Sequence, residues 1–373
     1  MEDTKQYIGC DVHRDYSVFR MMDERGDVSA PMRVSHRDGE MQRFLKSLPP
    51  ESPVAIETCG GWMWMVRAME EAGLEPHLAH AFKVKQRIAG PHQTDESDAG
   101  GLALLLRNGS LPEVWIAPAA IRDLRGLVRS RLAIRRHQTS FKNRIHGTLN
   151  QYGVKHVIQA EEESDVRDWF SIAVQAQLMK AIEALPPASR EALRQEYLTV
   201  RELELRIRSL EIAIKARTEK LGWLRLLRTL PGVGPILGAT IWLEIGDVRR
   251  FASAQNLALY AGLVPMVQSS GGKTWRGPVP KSCNQYLKWA FVEAANVVVA
   301  RQKKWEEKYP HAVSLYRRVK ATTKISGKAK VAVARHLAEA TWWMMTRKQA
   351  YREPTSARST SSNNGSARDR SLP

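Results

Sequence analysis

Four acids and one serine in this chain have the types and spacing to do phosphoryl chemistry. YIGCDVH places Asp11 directly after a strand-like run, and VAIETCGG places Glu57 at the end of another. Strand ends are where α/β proteins build ligand sites. HQTDESDAGGLALLL, residues 92–106, adds Asp95 and Asp98, which at i and i+3 of a helix project from one face. Taken singly, each acid is most simply a solvated loop residue or a helix-start residue, with Thr94 as the cap. Taken together, four carboxylates from two strand ends and one helix can converge on a point. Such a cluster repels itself unless cations neutralise it. Mg²⁺, with Mn²⁺ as the alternative ion, suits oxygen ligands, and paired ions can hold both oxygens of a phosphodiester displacement.

The serine lies in the polar stretch of YAGLVPMVQSSGGKTWRGPVPKSCNQYLKWAFVEAAN, residues 260–296. Ser270, preceded by Ser269 and followed by Gly271 and Gly272, sits between two helical patterns in what reads as an exposed loop. Lys273, Arg276 and Lys281 could stabilise charge on a phosphate beside it. No His/Asp pair flanks the serine, so an acyl-transfer triad has no support. The residues alone fit a catalytic loop or a phosphate-binding turn equally well. Upstream, LRTLPGVGPILGATIWL (Leu227–Leu243) has the form of a helix-hairpin-helix, in which Gly232 and Gly234 let backbone N–H groups approach a phosphate. A plain tight turn between packed helices is the alternative.

Charge supports a nucleic-acid partner. The net charge of +18 is uneven: residues 1–118 hold 13 Lys/Arg against 18 Asp/Glu, and residues 119–373 hold 44 against 21. A strongly basic body points to a polyanion. Residues 121–146 concentrate it, with Arg122, Arg125, Arg129, Arg131, Arg135, Arg136, Lys142 and Arg144 against Asp123 alone. That helix is expected to bind phosphates through Arg122, Arg125, Arg129, Arg135 and Arg136. No apolar run reaches about 18 residues and no signal peptide is visible, so no membrane is expected. Cys10, Cys59 and Cys283 are too scattered for a disulfide framework or a zinc site, which fits a reduced, cytoplasmic protein.

The elements that must position these residues follow from periodicity. Tyr7–Cys10, Ser17–Met22 and Val28–Val34 read as successive strands, the last two a hairpin around Glu24-Arg25-Gly26-Asp27. Asp38–Leu48, Trp62–Ala72 and Asp95–Arg107 read as helices, Val54–Glu57 and Pro76–Ala81 as strands, and Glu113–Ala117 as an edge strand. This predicts an α/β domain with a mixed sheet over residues 1–118. From Ala119 the chain is nearly all helix. Leu193, Val200, Ile207, Ile214 and Leu221 recur every seven residues, with Leu203 and Leu210 three beyond two of them. This is a coiled-coil stripe expected to meet a second subunit, although it could also pack within its own chain. The expected organisation is a catalytic domain (1–118), a basic and coiled-coil connector (119–222), a helical C-terminal domain (223–350) and a disordered Ser/Arg-rich tail (351–373).

These blocks, GCDVH, AIETCG, TDESDA, LPGVGPILGATI and GLVP…SSGGK…G.V.K..N.YL, together resemble the DEDD transposases of bacterial insertion sequences, the IS110 group related to Piv-type DNA invertases. The resemblance covers roughly residues 5–300. It implies an RNase H-like (RuvC-like) N-terminal domain whose Asp11, Glu57, Asp95 and Asp98 bind Mg²⁺. It also implies a C-terminal domain whose catalytic serine corresponds to Ser270, attacking DNA to form a covalent phosphoserine. The implied partners are donor and target DNA, a structured guide (bridge) RNA, and further copies of the chain as a dimer or tetramer. The implied setting is the bacterial cytoplasm in association with the nucleoid. A protein that delegates sequence choice to RNA needs charge and shape recognition but no base-reading module, and the sequence holds no zinc-finger or homeodomain pattern. Two other readings remain: a hydrolytic Holliday-junction-type nuclease that uses the acids alone, and a non-catalytic nucleic-acid-binding protein.

Overall fold

The computed structural model describes residues 6–88, 95–154, 169–270, 273–277, 279 and 282–354. Thr94, Gly271, Gly272, Lys281 and segment 355–373 of the expected tail lie outside them. The chain divides into two compact units, Met1–Pro118 and Ala119–Pro373.

The first unit is built on a five-stranded sheet. Its elements are β1 (Tyr7–Val12), β2 (Tyr16–Met22), β3 (Met32–Ser35), α1 (Glu40–Ser47), β4 (Pro53–Glu57), α2 (Trp62–Glu71), β5 (Glu75–Ala79), α3 (Ala81–Arg87) and α4 (Asp95–Arg107). The strand order is β3-β2-β1-β4-β5. β1 pairs antiparallel with β2 and parallel with β4, and β4 pairs parallel with β5. The sheet is therefore mixed, as the sequence pattern predicts.

Alternation along the strands sorts residues between two apolar layers. Ile8, Cys10 and Ile56 join Met41, Leu45, Met65 and Met69 beneath α1 and α2. Ala55 joins Leu102, Leu105 and Leu106 of α4 and Val84 of α3 on the other face. Two expected strands are shorter than their apolar runs. β3 begins only after Pro31: Asp23 Oδ1 accepts the N–H groups of Arg25, Gly26 and Asp27 in the turn, and Val28 keeps only a single bridge to Met22 before the strand starts at Met32. Around Glu113 a single bridge to Ala79 replaces the expected edge strand.

The second unit begins with a helical arm. α5 (Ala119–Gln151) and α7 (Pro187–Thr218), with α6 (Gln175–Glu183) between them in sequence, pack along each other. The pairs Arg131–Glu211, Arg135–Glu204 and Arg144–Glu196 descend along α7 as they ascend α5, so the two helices run antiparallel. The heptad row Leu193, Val200, Ile207 and Ile214 is buried inside this unit, against α5 and its neighbours rather than a second subunit. A single long helix cannot bury such a stripe alone, and α5 supplies the covering face. Leu198, Leu205 and Ile212, also seven apart, form a separate outward row that stays exposed.

The rest of this unit is α8 (Gly222–Leu227), α9 (Pro235–Ile245), α10 (Ala254–Tyr260), β6 (Val267–Ser270), β7 (Lys273–Arg276), α11 (Gln285–Ala300), α12 (Gln302–Trp305), α13 (Pro310–Thr323) and α14 (Ser326–Arg347). Phe291, Ala294, Val333 and Leu337 stand at the centre of its apolar core. The first residues of the expected tail are pinned. Tyr351 N–H donates to Thr229 Oγ1 at 2.9 Å, and Glu353 Oε2 accepts the His311 N–H at the start of α13 at 2.8 Å. Residues 351–354 therefore belong to the folded unit and not to a loose tail.

Candidate functional site

Asp11 and Glu57 occupy neighbouring strand ends. The β1–β4 register pairs Gly9 with Ala55 and Cys10 with Ile56, so one step further brings Asp11 level with Glu57. With period-two alternation, Gly9 and Asp11 share the face that α4 covers, as do Ala55 and Glu57. Gly9 sets how closely α4 approaches. A Cβ there would lie 1.9 Å from the Ala99 carbonyl oxygen and 2.8 Å from the Ala103 nitrogen. Helix backbone thus rests directly on strand backbone, and Asp98, one residue before Ala99, is carried to the rim where Asp11 ends. Asp95 opens the same helix, with its side chain outside the described part.

The electrostatics agree with this placement. Burial, and then the negative charges of Asp11 and Asp98, raise the Glu57 carboxyl above its ordinary value, with Lys85 opposing them. His13 Nε2 stands 3.1 Å from Asp11 Oδ2 and stacks on Tyr16. Among the described residues, to which the Asp95 side chain does not belong, no three His, Cys, Asp or Glu side chains form a ready metal-holding group. Mg²⁺ dehydrates reluctantly and is usually held by one or two carboxylates and several waters. An open set of mutually repelling acids fits such an ion better than it fits a fully protein-coordinated one.

In the second unit the expected serine loop is a β-hairpin. β6 and β7 pair antiparallel, and Ser270 faces Lys273 in register. Two short alternating runs separated by Gly-Gly are a hairpin signal, so the ribbon could have been found in the sequence. Ser270, Lys273 and Arg276 are placed here by backbone alone.

The neck of this excursion is tightly built. Tyr260 O accepts the Asn284 N–H at 2.9 Å, Met266 O accepts the Gly277 N–H at 2.7 Å, and Gly262, at φ +64°, leaves room for Cys283 Sγ. Asn284 uses its whole amide. Oδ1 caps α11 by accepting from Tyr286 N and Leu287 N, while Nδ2 donates to Glu244 Oε2 at 2.9 Å and Tyr260 Oη at 3.2 Å.

Glu244, fully buried on α9, is the hub behind that neck. Arg129 grips it with two bonds of 2.8 and 2.9 Å, and Arg125 Nε lies 3.9 Å away while donating to the Leu243 carbonyl. Burial pushes the Glu244 carboxyl up, but the Arg129 and Asn284 hydrogen bonds and the two arginine charges outweigh it and hold the carboxyl below its ordinary value. Sequence reasoning missed both Glu244 and Asn284 as site-builders. A lone Glu in the apolar run ILGATIWLEI was the available signal, because a buried acid requires partners.

The expected phosphate-binding helix is largely engaged within its own unit. Arg125 and Arg129 serve Glu244, Arg131 pairs with Glu211, and Arg135 meets Gln138 and Glu204; Arg122 is buried. Arg136 is exposed, and with Arg131, Arg135 and Trp289 it lines an open hollow between α5, α9 and α11. Gly232 and Gly234 differ in the same way. A Cβ on Gly232, at φ +78°, would lie 2.2 Å from the Ala294 carbonyl, so this glycine serves helix packing, whereas Gly234 faces open space.

Two family models match the chain. One, described as a transposase model of the DEDD type named for IS110, covers residues 8–154, and one described as the transposase IS116/IS110/IS902 family covers residues 224–310. The chain belongs to the IS110 family of DEDD transposases. The "Transposase for insertion sequence element IS1111A" of Coxiella burnetii is 25% identical over 354 residues, covering 94% of this chain and 92% of that protein. A "Probable family 20 transposase" of Pseudomonas aeruginosa is 27% identical over 266 residues, covering 70% and 75%. A "Putative transposase y4pF/y4sB" of Sinorhizobium fredii is 24% identical over 350 residues, covering 93% and 85%. In this transposase the two matched stretches contain the two sites just described. The first holds Asp11, Glu57 and Asp98; the second holds Glu244, the serine hairpin and Asn284.

Proposed function

We propose that this insertion-sequence transposase cuts and rejoins DNA at a divalent-cation site formed by Asp11, Glu57, Asp95 and Asp98, with Ser270 as the attacking nucleophile. The observation that carries the reading is the convergence of Asp11, Glu57 and Asp98, where burial first and then the two neighbouring charges raise the Glu57 carboxyl. The β3-β2-β1-β4-β5 order with helices on both faces supports an RNase H-like reading of the first unit. Mg²⁺, or Mn²⁺ in its place, would supply positive charge against the scissile phosphate and ease loss of the hydroxyl proton. Ser270 Oγ bonds to phosphorus as the phosphorus–oxygen bond to the departing strand breaks, and reversal onto a second strand completes joining. Because each step exchanges one phosphodiester for another, no co-reactant is consumed.

Site choice is assigned to a structured guide RNA, held with DNA on the basic second unit. Arg136, Gly234, Lys273, Arg276 and Lys281 are the proposed contacts. Self-association as a dimer or tetramer uses the outward row Leu198, Leu205 and Ile212, since the buried row is already covered within the chain. No helix among the described residues is long and apolar enough to cross a membrane.

The test mixes the protein with RNA transcribed from the non-coding sequence flanking its gene, donor and target DNA, and Mg²⁺. Joined products are expected, with a denaturation-resistant protein–DNA adduct that disappears in Ser270→Ala and in Asp11→Asn. Free cut ends without an adduct would establish the hydrolytic nuclease instead. Binding without cutting would establish the non-catalytic reading.

A further inference from the structure

α3 is a short helix with almost no share in the core. Of its seven residues, AFKVKQR, only Val84 is buried, and Phe82 is 66% exposed. A phenyl ring left this open contributes little to folding, and three cations with no acid within the helix are unusual in a unit whose net charge is negative.

Phe82 and Lys85, three residues apart, share a face. The start of α3 is tied to the acid-bearing strand end: Glu57 pairs with Ala79 in register, and the Ala81 N–H donates to Thr58 Oγ1 at 3.3 Å, one residue past Glu57. A second exposed ring stands on the β1 side. Trp64 is 39% exposed and packs edge-on to His36 with ring centroids 4.8 Å apart. A Cβ on Gly61 would meet Trp64 Nε1 at 2.9 Å and Val12 Cγ1 at 3.5 Å, so the indole lies close to the strand end that carries Asp11. Along this end of the sheet, Trp64 of α2 flanks the β1 end from one face and Phe82 of α3 follows the β5 end on the other, and the strand ends of β1 and β4 that carry Asp11 and Glu57 lie between them in strand order.

We propose that this rim, from Trp64 past the carboxylates to Phe82, is the track for a single unpaired DNA strand. The inference rests on the reading that the acids are the centre of chemistry. The two rings stack bases on either side of the scissile phosphate, and Lys85 and Lys83 neutralise neighbouring phosphates. Stacking on an exposed ring requires a base with a free face, so the occupant is a melted strand rather than an intact duplex.

The test measures binding of the full-length protein to a duplex carrying an internal bulge with 2-aminopurine, and to the same duplex without the bulge. Phe82→Ala is expected to weaken binding of the bulged DNA roughly 5- to 100-fold, to reduce the fluorescence change and to leave intact duplex binding unaltered. Phe82→Tyr should restore binding. Lys85→Gln should flatten the slope of log affinity against log salt by about 0.7, the share of one phosphate on a single strand. Wild-type affinity and fluorescence in Phe82→Ala would overturn the proposal. So would a loss confined to single-stranded RNA, or a change only in oligomeric state, since these assign the rim to RNA or to a second copy. The two readings fail separately. An active Asp11→Asn removes the catalytic assignment, whereas an inactive Asp11→Asn beside a normally binding Phe82→Ala removes the strand track alone.

Discussion

Glu57 and Glu244 are both acids taken out of water, and the two units treat them oppositely. Glu244 has a two-pronged arginine, a second arginine and an asparagine amide, and its carboxyl is held below the ordinary value. Glu57 has two more carboxylates for neighbours and is held above it. A satisfied buried charge reports architecture, because its partners were selected to quiet it. A cluster of mutually repelling carboxylates points to function, because a cation from outside the chain is what would neutralise it.

The largest effect that would break this contrast is on the quiet side. Asn284→Asp sets a second carboxylate against Glu244 while keeping a capping oxygen for α11, and should cost about 3–5 kcal/mol of unfolding free energy. Adding Glu244→Gln moves the charge from one position to the other and returns a donor, so the double variant should recover most of the loss in chemical denaturation. If it does not, the pair is uncoupled and Glu244 is not the hub.

Arg129→Gln is expected next, at about 2–4 kcal/mol, because it leaves Glu244 buried with its grip removed. A variant of unaltered stability with weakened DNA or RNA binding would return Arg129 to the phosphate-binding role its position on the basic helix suggests.

Glu57→Gln should go the other way. The folded pKa is raised, so the group's contribution to stability is complete below the unfolded value, about 4.3, and is lost as pH rises through the folded one. At neutral pH without divalent cation, the variant should melt above the wild type, by less than about 4 °C because water screens this half-buried cluster. The gap should close at pH below about 4, and added Mg²⁺ should narrow it by stabilising only the wild type, while transposition is lost. A variant that melts lower at neutral pH would show that the acids are not in conflict.

The smallest effect belongs to Arg136→Gln. Stability should stay within about 0.5 kcal/mol, and the salt slope of nucleic-acid binding should fall by about 0.9 if that side chain holds one duplex phosphate. An unchanged slope places the contact elsewhere.

The sequence made the first site legible because its signals are local. Asp11 and Glu57 each end an apolar run, and Asp95 and Asp98 open a periodic helix, so strand and helix rules find them without knowledge of pairing. The second site depends on contacts far apart in the chain. Arg129 and Glu244 are 115 residues apart and Gln138 and Glu204 are 66 apart, and no periodicity says that a guanidinium on a basic stripe turns inward. The heptad row was readable as a stripe, but the pattern is silent on whether α5 or a second chain covers it. α3 escaped notice because seven residues cannot display a helical period, and its one buried side chain leaves no apolar face to detect.

The contact of Gly9 with Ala99 and Ala103 makes the spacing of the acids a steric gauge set by backbone alone. A spacing held by side chains can be retuned by repacking, since neighbours shift and volumes trade. One held by carbonyl against α-carbon has no part that can be trimmed, and a single added methyl lifts the whole α4 helix, with Asp95 and Asp98 on it, away from Asp11. A library saturating position 9 and selected for transposition should therefore return glycine alone, without regard to polarity, whereas positions 8 and 10 on the opposite face should accept other apolar residues of similar volume.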